Sequence, residues 1–187
     1  MSQRVIIIHG TKGSPESNWF QWLKNELNKI NIPCEIPKLP TPENQSLPSW
    51  LSEFNQQVGE LTHDDILIGH SIGAALCLHL VLSQKETPKA CFLIAPFVRK
   101  IQIPEYDLLN ESFLIEDISI LKNISSRTKF ISIYSDDDPY VPMNLSEEVS
   151  EITKSKIIII PKGKHLNSEA GYDTFSELKD ELFKLLT

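Results

Sequence analysis

The sequence of 187 residues predicts an α/β fold: a six-stranded, mostly parallel sheet with helices on both faces and no large cap domain. Three observations carry this expectation. Short β-branched or apolar runs recur along the chain. Stretches with apolar residues at helical spacing alternate with them. Each run stops at a cluster of turn-forming Gly, Pro or Asp residues, as parallel strands do where they give way to loops.

The first run, Arg4–Ile8, is continuous and β-branched, which suits a strand buried on both faces. It ends at His9-Gly10-Thr11-Lys12-Gly13-Ser14-Pro15. Trp19, Trp22, Leu23, Leu27 and Ile30 then form a helical stripe. A short strand near Cys34–Ile36 lies between Pro33 and Pro37. The stiff Pro40-Thr41-Pro42 link leads to a second helix, marked by Leu47, Trp50, Leu51, Phe54, Val58 and Leu61. Ile66–Ile68 is a third strand and Ile72–Ser83 a helix. Ala90–Ala95, Lys129–Tyr134 and Lys156–Ile160 are the remaining strands. Helices follow at 144–153 and at the end, where Tyr172, Phe175, Leu178, Leu182 and Leu186 recur. Phe97–Arg127 breaks the rhythm. It reads either as a small lid running over the sheet or as a crossover helix near Asp117–Ile124 with a long lead-in.

Length allows one substantial core, so residues 1–187 are expected to form a single domain. A net charge of -7 excludes a binder of the phosphate backbone, and no nucleic-acid partner is expected. No apolar run reaches the roughly 20 residues that span a bilayer, so no membrane association is expected. The first residues lack the apolar core of an export signal. Three cysteines, Cys34, Cys77 and Cys91, stand at unrelated spacings, which suits reduced thiols in a cytoplasmic protein. No Cys or His cluster suggests a metal, and no cofactor is expected. Gly10-Thr11-Lys12-Gly13-Ser14 falls short of the glycine-rich nucleotide-binding patterns.

Chemistry concentrates at Gly69-His70-Ser71-Ile72-Gly73. A strand precedes this Gly-x-Ser-x-Gly and a small-residue helix start follows it. That is the setting of the nucleophile elbow of α/β-hydrolases. Gly69 and Gly73 lack side chains that would strike the neighbouring strand and helix. An ordinary turn with Ser71 as helix N-cap is the plainer alternative. Functional groups in an open α/β sheet gather beyond the C-terminal strand ends. There the sequence places Ser71, then Asp136-Asp137-Asp138, then His165, in the chain order Ser, Asp, His of the α/β-hydrolase template. Ser71 would be the nucleophile and His165 its base. A carboxylate would fix the tautomer of that His. Asp138 is chosen because Pro139 holds its backbone extended; Asp136 lies too near the strand end, and Asp137 reads as solvated or loop-capping. Oxyanion donors are expected from the backbone N–H of Ile72 and of Thr11, with Lys12 the alternative to Thr11. Phe97, Phe113, Tyr140 and Val141 are expected to edge a shallow pocket. His9 reads as shaping the oxyanion loop, His70 as the variable elbow position, and Cys77 as a small core residue. Trp19 could stand near the site mouth.

These motifs resemble those of the small cytosolic α/β-hydrolases related to retinoblastoma-binding protein nine. The resemblance spans the chain. It rests on His9-Gly10, Trp19-Phe20-Gln21-Trp22-Leu23, Pro40-x-Pro42 with Trp50-Leu51, the elbow, Asp137-Asp138-Pro139-Tyr140-Val141-Pro142, and Gly163-x-His165-x-Asn167. It implies a serine hydrolase acting on small esters or amides, with Ser71, Asp138 and His165 as the triad. Members often carry glycine before the last His, where this chain has Lys164. The function expected is cleavage of small carboxylic esters through an acyl-enzyme. An amidase or aminopeptidase with the same triad is the alternative, as is a protein-binding module on a hydrolase fold.

Overall fold

The computed structural model describes residues 3–186, so residues 1, 2 and 187 of the expected domain lie outside the described residues. Six parallel strands are present: β1 (Val5–Ile8), β2 (Cys34–Glu35), β3 (Ile66–His70), β4 (Ala90–Ile94), β5 (Lys129–Ser135) and β6 (Lys156–Ile160). Their order across the sheet is β2-β1-β3-β4-β5-β6. Every pair of neighbours is parallel, with Ile8 opposite Gly69, His70 opposite Ile94 and Ser135 opposite Ile160. The sheet that was expected to be mostly parallel is therefore wholly so.

Alternate residues along each strand serve opposite faces. Ile6, Ile8, Leu67, Cys91 and Leu93 pack beneath α2 (Leu47–Gln57) and α3 (Ile72–Ser83). Val5, Ile7, Ile66, Ile68, Phe92 and Ile94 pack beneath α1 (Phe20–Asn28) and α6 (Ser176–Phe183). α3 is apolar on nearly every side and buried from Ile72 to Val81 apart from His79. A helix without a polar face belongs in the middle of a layer, and this one carries the elbow at its start. The stripe drawn through Ile30 ends earlier: α1 stops at Asn28, and Ile30 is 45% exposed.

The segment after β4 runs in two parts. α4 (Pro104–Asn110) starts on a proline and crosses the C-terminal end of the sheet. A 3₁₀ helix, Ile118–Ser126, then packs against α3 and against α5 (Met143–Ile152) before β5. The crossover is thus 3₁₀ and not α-helical. α4 was missed because its 7 residues include just one buried side chain, Asn110.

Candidate active site

β1 and β3 lie side by side, while their following connections depart to opposite sides of the sheet. Such a switch point leaves a crevice beyond the strand ends. Ser71 stands in it. Its backbone sits at φ 57° and ψ -126°, a region that costs a side-chain-bearing residue about 1–3 kcal/mol. Neighbouring bonds hold it there. Ser71 N–H donates to Ile94 O at 2.8 Å, and Ala74 N–H donates to Ser71 O at 2.9 Å. The flanking glycines are required by contact: a Cβ on Gly69 would lie 2.4 Å from Gly73 O, and one on Gly73 would lie 2.6 Å from His9 O.

The three aspartates after β5 divide their work. Asp136 Oδ1 accepts Lys162 N–H at 2.8 Å. Asp137 Oδ1 accepts Lys164 N–H at 2.8 Å, while its Oδ2 pairs with Lys164 Nζ at 2.7 Å. The ammonium holds the Asp137 carboxyl below the usual carboxylate range. Both thereby tie the β5 loop to the loop after β6. Asp138 Oδ1 accepts from Tyr140 N–H and Val141 N–H, at 2.8 and 3.0 Å. Its Oδ2 accepts from His165 Nδ1 at 2.7 Å. With Nδ1 carrying the proton, His165 Nε2 is left as an acceptor. Asp138 and His165 side chains are 2% and 10% exposed. The cation beside the His, Lys164, is thus already neutralised by Asp137.

The loop after β1 supplies the opposite wall. Gly13 N–H donates to Gly10 O at 3.1 Å, which closes a turn with Lys12 at φ 58°. His9, fully buried, donates from Nδ1 to Gly10 O at 2.9 Å and accepts Leu39 N–H on Nε2 at 3.1 Å. It shapes this loop as expected. Lys12 N–H donates to Thr41 Oγ1 at 2.7 Å, which removes the alternative oxyanion donor. Among the described residues, the N–H groups of Thr11 and Ile72 make no hydrogen bond inside the protein.

Ser71, Thr11 and His165 border one cavity of about 290 Å³. Phe97, Ile101, Tyr106, Asn110, Tyr140 and Val141 also line it. Tyr140 packs its ring on His165 at 5.1 Å and donates its hydroxyl to Glu169 Oε2 at 2.9 Å. Phe113 is placed elsewhere, against the expectation that it edges the pocket. It is fully buried behind α4, edge-on to Trp50 at 4.9 Å. Its apolar ring fills the core between α2 and α3, and Asn110 takes the place on the cavity wall.

This geometry can be set beside known proteins. A family model described as serine hydrolase matches residues 5–184. The chain belongs to the serine hydrolase family. It is 26% identical over 184 residues to a protein of Bacillus subtilis named as the hydrolase YdeN, covering 97% of this chain and 95% of that one. The crystal structure of the ydeN product superposes with a TM-score of 0.88 at 23% identity, over 98% of each chain. A YdeN-like hydrolase from Pectobacterium atrosepticum gives a TM-score of 0.75 at 18% identity, over 99% of this chain and 91% of that one. A structure from work on carboxylesterases of Nitrososphaera gargenis gives 0.74 at 14% identity, over 99% and 92%. These structures share the α/β-hydrolase fold with this chain, which carries no large cap among its described residues.

Two supports of the serine hydrolase site were not read from the sequence as such. Trp19 is fully buried, and its Nε1–H donates to Leu166 O at 3.1 Å, one residue after His165. It braces the His165 loop from α1 and does not stand at the mouth. His70 is 4% exposed and packs its ring on His165 at 4.8 Å. Its Nε2–H donates to His165 O at 2.9 Å. Burial, then the nearby His165, pushes the His70 pKa down to about 3, so the ring is neutral. The sequence signal lay in the elbow itself, since the residue before Ser71 ends β3 and must point into the layer below. Cys77 is a buried core residue whose thiol is pushed up by burial, as are those of Cys34 and Cys91. Such thiols stay protonated and unreactive.

His70 has a consequence for stability. Its folded pKa lies below the ordinary value of 6.5, so the unfolded chain takes up the proton first. The contribution is present above about pH 6.5 and is lost as pH falls toward 3. His9, also lowered by burial, acts in the same direction. His70→Gln, which retains a donor for His165 O, is expected to show a shallower fall in urea-unfolding free energy between pH 6.5 and 4 than wild type. Parallel profiles would assign the acid lability to other groups.

Proposed function

We propose that this serine hydrolase cleaves small carboxylic esters through an acyl-enzyme on Ser71. The observation that carries the reading is the 2.7 Å bond from His165 Nδ1 to the buried Asp138, made on the wall of the cavity that Ser71 enters. His165 Nε2 takes the Ser71 proton as Oγ attacks the ester carbonyl. The resulting imidazolium is stabilised by Asp138. The N–H groups of Thr11 and Ile72 receive the oxyanion, each worth about 3–4 kcal/mol in the transition state. His165 passes its proton to the departing alcohol. Water, activated by the same Nε2, then releases the acid and restores Ser71.

A cavity of about 290 Å³ suits short acyl groups. Residues 97–127 act within the same single domain as a fixed roof and not a swinging lid. The bonds from α4 to the β1 loop support this: Thr11 Oγ1 to Asn110 Oδ1 at 2.5 Å, and Lys12 Nζ to Glu105 at 2.5 Å. The motifs quoted above support a kinship, within that family, with the relatives of retinoblastoma-binding protein nine. Three unpaired cysteines suit a reducing compartment such as the cytoplasm. Among the described residues no helix is long and apolar enough to cross a membrane.

A fluorophosphonate probe is expected to label Ser71 and no other residue, located by mass spectrometry of the digest. The protein should also turn over p-nitrophenyl esters of short acids faster than the matching anilides. Faster anilide cleavage would make it an amidase. An unlabelled Ser71, beside a labelled control esterase, would sink the reading and favour a binding module.

A further inference from the structure

One polar side chain on the cavity wall is set by a network but not consumed by it. Asn110, at the C-terminal end of α4, is 2% exposed. Its Oδ1 accepts Thr11 Oγ1–H at 2.5 Å and Gln45 Nε2–H at 2.8 Å. The sense of these bonds is fixed from outside. Gln45 Nε2 also lies 3.1 Å from Leu109 O, a carbonyl that can only accept. At the other end, Gln45 Oε1 accepts Thr41 Oγ1–H at 2.5 Å, and Thr41 Oγ1 accepts Lys12 N–H at 2.7 Å. The Gln45 amide therefore has one orientation. It forces one orientation on Asn110, with Oδ1 toward the network. Nδ2, with both its protons, is what Asn110 has left to present to the cavity. Among the described residues it donates to no protein group, and Asn110 lines the cavity beside Thr11.

We propose that Asn110 Nδ2 is a specificity-determining donor for an acceptor oxygen on the acyl part of the substrate. The favoured substrates are then short acyl esters with an ether, hydroxyl or carbonyl oxygen close to the scissile carbonyl, in preference to plain alkanoyl esters of the same length. The surroundings agree: Tyr106, Tyr140 and Thr11 border the same space, and the apolar wall is limited to Phe97, Ile101 and Val141. A buried donor left unmatched by an alkyl chain discriminates against that chain, since it loses water without gaining a partner. This inference rests on the esterase reading above.

The test uses p-nitrophenyl methoxyacetate and p-nitrophenyl butyrate, which differ by one ether oxygen in place of a methylene. The readout is the ratio of their kcat/KM values in a variant relative to the same ratio in wild type, which cancels the intrinsic reactivity of the esters. Asn110→Asp keeps an acceptor for Thr11 and Gln45 but replaces the donor with an oxygen. The ratio is expected to fall about tenfold, the worth of one hydrogen bond. Gln45→Glu leaves Asn110 in place. A carboxylate there accepts instead of donating, so the Asn110 amide turns over and presents Oδ1. The ratio is expected to fall here too, although no group of Asn110 has been removed. Equal losses on both esters in Asn110→Asp, or a ratio unmoved in either variant, would overturn the inference while leaving the esterase reading intact. No fluorophosphonate adduct on wild-type Ser71 and no cleavage of either ester would remove both.

Discussion

Ser71→Ala is expected to lower kcat on a short p-nitrophenyl ester by about 10⁴-fold or more and to abolish fluorophosphonate labelling. Removing the attacking oxygen leaves only the oxyanion donors and binding to accelerate hydrolysis by water. The fold should survive, because Ser71 lies at the sheet rim with its side chain partly exposed, and alanine fits the same space. Alanine keeps a Cβ at φ 57°, so the backbone strain also remains. The thermal midpoint should therefore stay close to that of wild type. A variant that retains ester turnover within tenfold would show that the nucleophile is another group.

The second large effect is expected at the carboxylate. Asp138→Asn should lower kcat by about 10⁴-fold with little change in stability. The new amide oxygen can still accept from Tyr140 N–H and Val141 N–H, which keeps the loop. Its NH₂, however, would donate to His165 Nδ1. The ring would then carry its proton on Nε2, where it cannot take one from Ser71. Asp136→Asn and Asp137→Asn are the controls. Their oxygens accept from Lys162 N–H and Lys164 N–H in the loop after β6, which an amide oxygen can also do. Losses there are expected to stay within about tenfold, from loosening of the loop. A larger loss at Asp137 than at Asp138 would overturn the assignment of the acid.

The sheet was legible because parallel strands buried on both faces write themselves as unbroken apolar runs, such as Val5–Ile8 and Ala90–Ile94. The elbow was legible because two glycines are imposed by contacts under 3 Å. Ser71, Asp138 and His165 could be placed on one rim because strand ends are easy to read and the rim is where they gather. α4 was not legible. Its residues face the cavity on one side and solvent on the other, with Asn110 its one buried side chain, so no apolar period marks it. Phe113 shows the same limit from the other direction: an aromatic in an irregular segment looks the same whether it lines a pocket or fills a core. Asn110 carries no signal in the sequence, and His70 carries just its place in the elbow. Their importance comes from which partner takes which end of an amide or an imidazole, and that is a property of three-dimensional neighbours.

The order of the strands also governs when the site can exist. Ser71 follows a strand at the centre of the sheet, but His165 follows β6, which is the last strand in the chain and pairs only with β5. β6 is an edge strand that leaves Ile157 and Ile159 each 44% exposed. During synthesis Ser71 is made long before His165, so on the proposed reading the strained serine waits for β6 to dock before the site is complete. In the folded protein β6 is one of the two sheet edges, β2 being the other, and a strand paired on one side alone opens more readily than a central one. On the proposed reading, opening of β6 would carry His165 away from Ser71 while β1 to β5 stay paired, and ester turnover would then be lost ahead of the sheet.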